Sequence, residues 1–213
     1  MRTKSAATKL RERDSLVSIG LRAKTGRAIA VVLGGRPDAP YLLKRVELKL
    51  TDPAFPETGQ PYHEVLDLPW EQAQVAARKI AIRIERLASE EISRLVRDAK
   101  PRGEIVCAVG IVGAGDRNLD RIGSTHIRAH AAEGVLFREV LEAGAASNSL
   151  PNRRFDERTL DATAESELNL SIEKIKAHLA EMGRSAGSPW RADEKAAATA
   201  AWLALAAKLR ESK

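Results

Sequence analysis

The chain has 213 residues, 44% of them apolar and 4% aromatic, with a formal net charge of +6. That length suits one domain with a full core, and that apolar content excludes a chain too polar to fold. The positive balance permits attraction to nucleic acid or anionic ligands, but the scarcity of aromatics leaves few platforms for base stacking.

Residues 1–14 carry Arg2, Lys4, Lys9, Arg11 and Arg13 and read as a flexible basic arm. No apolar h-region follows to make a secretory signal. Residues 15–213 read as a single α/β domain. Ser15 to Leu21 and Arg27 to Gly35 are β-rich runs, with Lys24-Thr25-Gly26 as the turn between them. Gly35 to Pro40 is a second turn, and the alternation of Leu43, Val46, Leu48 and Leu50 with charged residues predicts a third strand over Tyr41 to Leu50. A loop punctuated by Pro53, Pro56, Pro61 and Pro69 follows, long enough to suggest a functional role.

Trp70 to Lys100 reads as one helix stopped by Pro101, and Glu104 to Val112 as a buried central strand. A helix from about Thr125 to Ala143 is expected next, with Ser124 as N-cap and Gly144 as terminator. Arg153 to Leu160 reads as a fifth strand, and Ser171 to Met182 as a helix ended by Gly183. Ser188 and Pro189 then open an Ala-rich helix to about Leu209. The order β-β-β-α-β-α-β-α-α implies a five-stranded mixed sheet with helices on both faces. The uncharged stretches Ile105 to Gly115 and Ala196 to Ala207 are too short to span a bilayer, so a cytoplasmic protein is the expectation. The lone Cys107 lies in an apolar run and reads as a buried, inert thiol.

This order, with Ile19-Gly20-Leu21-Arg22-Ala23-Lys24-Thr25-Gly26 near the start and Ala192-Asp193-Glu194-Lys195-Ala196-Ala197 near the end, resembles the ribonuclease-H-like superfold. It resembles especially the RuvC-type Holliday-junction resolvases and their relatives. The resemblance spans about Ser15 to Leu209 and implies a nuclease that holds two divalent cations between carboxylates. Those carboxylates would come from the first strand, the fourth strand and the last helix. The chain departs from that pattern. Arg22 stands at the first acidic position, Ile105 to Val112 contains no carboxylate, and only Asp193 and Glu194 remain near the expected place. The catalytic positions are therefore degenerate.

Segments leaving the first, third and fourth strands should emerge at one sheet edge, where open α/β sheets hold ligands. That edge would carry Arg22, Lys24, His63, Glu64, Asp67, Asp116, Asp120 and Ser124, with Arg191, Asp193 and Glu194 arriving from the last helix. Solvated loop charges are the simpler reading of this set. His126 and His130, four apart on a predicted helix with Glu133 three further on, share one face as a metal pair would. No third ligand is specified, and histidines hydrogen-bonding where the helix meets a loop are the favoured reading of the pattern. Gly110, Gly113 and Gly115 match neither phosphate-binding fingerprint and read as tight backbone turns.

Two expectations follow. The first is a non-catalytic ribonuclease-H-like module that binds nucleic acid, non-specifically and with salt dependence, or a protein partner. The second is a metal-assisted hydrolase or nuclease with a rebuilt site at the strand-end edge, with Asp193, Glu194 and Asp116 as its catalytic candidates. A divalent metal belongs only to the second.

Overall fold

The computed structural model describes residues 15–211. The expected basic arm over residues 1–14 lies outside the described residues. The strands are β1 (Leu16–Lys24), β2 (Arg27–Arg36), β3 (Ala39–Lys49), β4 (Ile105–Gly113) and β5 (Asn152–Asp156). The helices are α1 (Trp70–Ala99), α2 (Thr125–Ser147), α3 (Leu160–Leu168), α4 (Ile172–Ala186) and α5 (Ala192–Glu211). One mixed sheet runs β3-β2-β1-β4-β5, with β1 antiparallel to β2 and parallel to β4, as the meander and crossovers require.

Strand alternation builds two large cores among the described residues, beside a smaller cluster around Cys107 and Leu205. Val17, Ile19, Leu21 and Ala23 pack with Ile84, Ala88 and Ile92 of α1 and Phe137, Val140 and Leu141 of α2. On the other face, Ile29, Val31 and Leu33 of β2 join Leu160 of α3, Ile175 and Leu179 of α4, and the Ala-rich run of α5. Each fully buried Leu, Ile or Phe contributes about 1.5–3 kcal/mol on burial. Helix α5 lies almost flat against the sheet because Gly20 and Gly110 have no side chain. A Cβ at Gly20 would sit 1.8 Å from the Ala197 carbonyl oxygen, and one at Gly110 would sit 2.3 Å from that of Ala200. Close approach of a helix therefore explains Gly110 better than the turn role expected of it.

Several boundaries differ from the expectation, each for a local reason. β1 runs on to Lys24, because Thr25-Gly26 alone turns the hairpin, with Gly26 at φ 74°. β5 ends at Asp156, and α3 takes over at Leu160, where Leu160 and Ala164 are buried. The element order therefore carries one more helix than expected. Gly144 does not stop α2. It lets the helix approach the α1 backbone at Ala88, and the helix ends at Asn148, whose amide donates to Gly144 and Ser89 oxygens. Gly183 likewise lies inside α4, against Trp190, and the helix ends at Gly187, at φ 73°. α5 begins at Ala192 and not at Pro189. Its first turn is capped when the Glu194 carboxylate accepts from the Arg191 N–H, at 2.8 Å.

Candidate functional site

The expected edge does not gather into one site. It divides between the two faces of the sheet. On the α5 face, β1 delivers Arg22, only 6% exposed, beside Val112 of β4. A buried guanidinium needs anionic partners. Glu157 supplies one at 2.5 Å and Asp193 another at 3.4 Å, while Lys24 also reaches Asp193 at 3.4 Å. Glu194 is buried, caps α5 through Arg191 and faces Arg45 at 4.0 Å. The two first-turn carboxylates of the last helix are thus engaged by cations and by a backbone amide.

Asp116 lines a small pocket with Asp156 and Glu157 but has arginine partners of its own. It accepts from Arg138 at 2.7 Å and Arg154 at 3.0 Å. Arg138, with its hydrogen bond and charge, is the main cause holding the Asp116 carboxyl below its usual range; Arg154 adds to it. Arg138 itself is buried, runs beneath Gly113 and also donates to the Ala114 carbonyl. The two-cation arrangement implied by the fold does not fit these residues. A permanent cation stands at the first-strand position, and its fourth-strand neighbour is valine.

The other face carries a different constellation. Loop residues 51–69 are pinned to α1 and α2. Asp52 pairs with Arg83 at 3.1 Å, the Arg83 guanidinium lies 3.2 Å over the Phe55 ring, and Tyr62 stacks on Trp70. The loop thereby brings His63 to α2. There His63 Nδ1 lies 2.7 Å from Oε1 of Glu133, a carboxylate with no solvent exposure. The His63 backbone N–H donates to the same oxygen at 3.3 Å. His126 and His130, one helical turn apart, approach with their Nε2 atoms 3.1 Å apart. One donor nitrogen from each of His63, His126 and His130 falls within 4.8 Å of the others, the one such grouping among the described residues.

The remaining candidates are dispersed. Asp120 accepts from Trp70 Nε1 at 2.9 Å, Ser124 caps α2 by accepting from Ile127 N–H at 3.4 Å, and Glu64 and Asp67 are exposed. Glu133, read in sequence beside His126 and His130, is the hydrogen-bond partner of His63. Sequence reasoning missed Glu157, Arg138 and the meeting of His63 with the helix pair. One signal for the last was present, since the chain holds four histidines and three of them meet here.

The sheet order, the parallel β1–β4 pair and the α5 packing make this a RuvC-like ribonuclease-H fold. The particular likeness is to Thermus thermophilus RuvC, with a TM-score of 0.50 and 14% identity over 91% of this chain and 96% of that one. A T. thermophilus RuvC structure in complex with Holliday junction substrate aligns at TM-score 0.47 and 12% identity, covering 88% and 91%. The yeast mitochondrial Holliday junction resolvase Ydc2 aligns at 0.44 and 13%, covering 99% and 90%. The sequence matches no family model and no curated protein. At such identity the likeness establishes the fold alone, and the chemistry has to be read from the residues. No helix among the described residues is long and apolar enough to cross a membrane.

Proposed function

We propose that this chain is a ribonuclease-H-like module that binds nucleic acid without cleaving it at the strand-end edge of the α5 face. One observation carries the reading. The buried Arg22 occupies the first-strand position and draws Glu157 and Asp193 onto itself. Mg²⁺ would have to displace a guanidinium already paired with Glu157 and Asp193, so the edge offers a hard cation no ready seat. Phosphate groups are the anions a basic chain of this fold would meet, through charge and with little sequence readout.

The test has two arms. Branched, duplex and hybrid substrates incubated with the full chain in Mg²⁺ or Mn²⁺ are expected to stay intact. Cleavage abolished by Asp193→Asn would overturn the reading. Titration of labelled DNA and RNA is expected to give a Kd of ~10⁻⁴–10⁻⁶ M that weakens steeply with salt. Deleting residues 1–13 is expected to flatten that salt slope, because fewer counterions are released. Absence of binding at low salt would end the nucleic-acid reading and leave a protein partner as the alternative.

A further inference from the structure

We propose that His63, His126 and His130 form a binding site for one transition-metal dication of the Zn²⁺ class, with Glu133 fixing the orientation of His63. This goes beyond the preceding reading and is independent of it, since it concerns the opposite face of the sheet. Imidazoles suit zinc and its neighbours, whereas Mg²⁺ demands oxygen ligands. Two of the three ligands sit at i and i+4 on α2, and the third comes from a pinned loop, so the group is held by two separate elements.

The tautomer follows from Glu133. With its Nδ1 lying 2.7 Å from the buried carboxylate, His63 donates that N–H and presents Nε2 as the lone pair. That Nε2 is buried and has no hydrogen-bond partner. A hydrogen bond between His126 and His130 would account for their 3.1 Å separation, but it leaves the His63 nitrogen unsatisfied. A shared cation satisfies all three. Nitrogens about 2.0–2.1 Å from a tetrahedral ion stand roughly 3.3–3.4 Å apart, close to the spacing of the helix pair. The three rings meet edge to face, at interplanar angles of 81°, 61° and 85°, so no pair stacks in the way.

A carboxylate behind a ligating histidine is the usual outer support of such sites, and it raises the basicity of the ligand. The cation in turn offsets the burial of Glu133, whose Oε2 also lacks a partner. His126 and His130 are exposed, so the fourth position opens to solvent and would hold water or a small anion. Cys107 does not compete for the ion. It lies in another cluster, and burial pushes its thiol up to about 11.

The experiment is calorimetric titration of the metal-stripped full chain with Zn²⁺, with Co²⁺ as a spectroscopic substitute and Mg²⁺ as the control. The expected result is one equivalent of Zn²⁺, a raised Tm, and visible Co²⁺ absorption typical of four-coordinate ligation by three nitrogens and a solvent ligand. Mg²⁺ should show no binding at this site. His126→Ala and His130→Ala remove exposed side chains, so both variants should fold as the parent does by circular dichroism and lose stoichiometric binding. Glu133→Gln should weaken binding roughly 10–100-fold. His178→Gln, at the histidine that bonds the Pro40 carbonyl, should leave binding unchanged. Failure of Zn²⁺ to bind the parent chain would overturn the proposal, and so would binding that survives His126→Ala and His130→Ala.

Discussion

The seating of α5 on the sheet can be tested at a single atom, with Gly20→Ala. The added methyl would lie 1.8 Å from the Ala197 oxygen, 2.6 Å from the Ala201 nitrogen and 2.8 Å from the Ala197 carbonyl carbon. All three are backbone atoms, so no rotamer relieves the clash, and α5 must move away from β1. Bringing the shortest contact out to 3.0 Å, where real contacts begin, takes a displacement of 1.2 Å. The far side of α5 offers no slack, because Ala198, Trp202 and Leu203 are 0–1% exposed. The shift also strains two hydrogen bonds of 2.7 Å, from Ser18 Oγ to the Ala201 carbonyl and from Trp202 Nε1 to the Pro37 carbonyl. Overpacking costs about 1–3 kcal/mol in ordinary cores, and a weakened buried hydrogen bond adds about 0.5–1.5 kcal/mol. A loss of about 3 kcal/mol is expected, which at this chain length lowers Tm by roughly 6–12 °C. Urea and thermal unfolding followed by circular dichroism read it directly. Gly134→Ala in α2 is the counterpart, since nothing lies within 4 Å of its added methyl. That change should stabilise by about 0.4–1 kcal/mol. Equal effects of the two substitutions, or a Gly20→Ala chain as stable as the parent, would refute the seating described.

Three further outcomes are expected. Arg22→Asp should gather carboxylates at the strand-end edge, lowering stability without metal and making Tm rise with added Mg²⁺, which the parent chain should not show. An identical Mg²⁺ response in both would mean that Arg22 is not what closes that edge. Cys107 should resist thiol reagents in the native chain at neutral pH, and rapid labelling without unfolding would contradict its burial. The thiol also has a pH signature. Its folded value is raised from 9.0 to about 11, so the stability it confers is full below pH 9 and is lost as pH rises toward 11. Through linkage this amounts to about 2–3 kcal/mol. Cys107→Ala should remove that part of the alkaline slope in urea midpoints, and a slope unchanged by the substitution would exclude the thiol as its source.

The sheet was legible because its strands are strongly patterned. The β-rich run of β1, the alternation in β3 and the continuous apolar run of β4 mark the strands, and the crossover rule makes β1 and β4 parallel neighbours. The misplaced ends share a cause. Gly144 and Gly183 look like helix terminators in sequence, yet each lies where another element packs closely. Composition alone does not separate these two uses of glycine. The short helix α3 went unread because Leu160 and Ala164 give its nine residues too little periodicity. The candidate site was legible residue by residue but not as an arrangement. His126 and His130 are paired by helical spacing, whereas His63 lies 63 residues before His126, and only the folded loop reveals that they meet.

That division has a consequence for which metals this chain can use. In β1, successive side chains alternate between faces, so Leu21 and Ala23 enter one core while Arg22 and Lys24 turn toward α5. Once a guanidinium is buried there, the acidic residues around it have a different task from the one the resemblance implies. Asp193 and Glu157 neutralise Arg22, and Glu194 caps a helix, so none is free to hold a hard cation. The nitrogen ligands lie behind the sheet, on α2 and the loop before α1. Nitrogen ligands select a softer class of ion than the oxygen-rich sites that hold Mg²⁺. A metal dependence of this protein would therefore follow Zn²⁺ or Co²⁺ and respond to His126→Ala, not to Asp193→Asn. An activity screen in Mg²⁺ alone would probe only the face that Arg22 has closed.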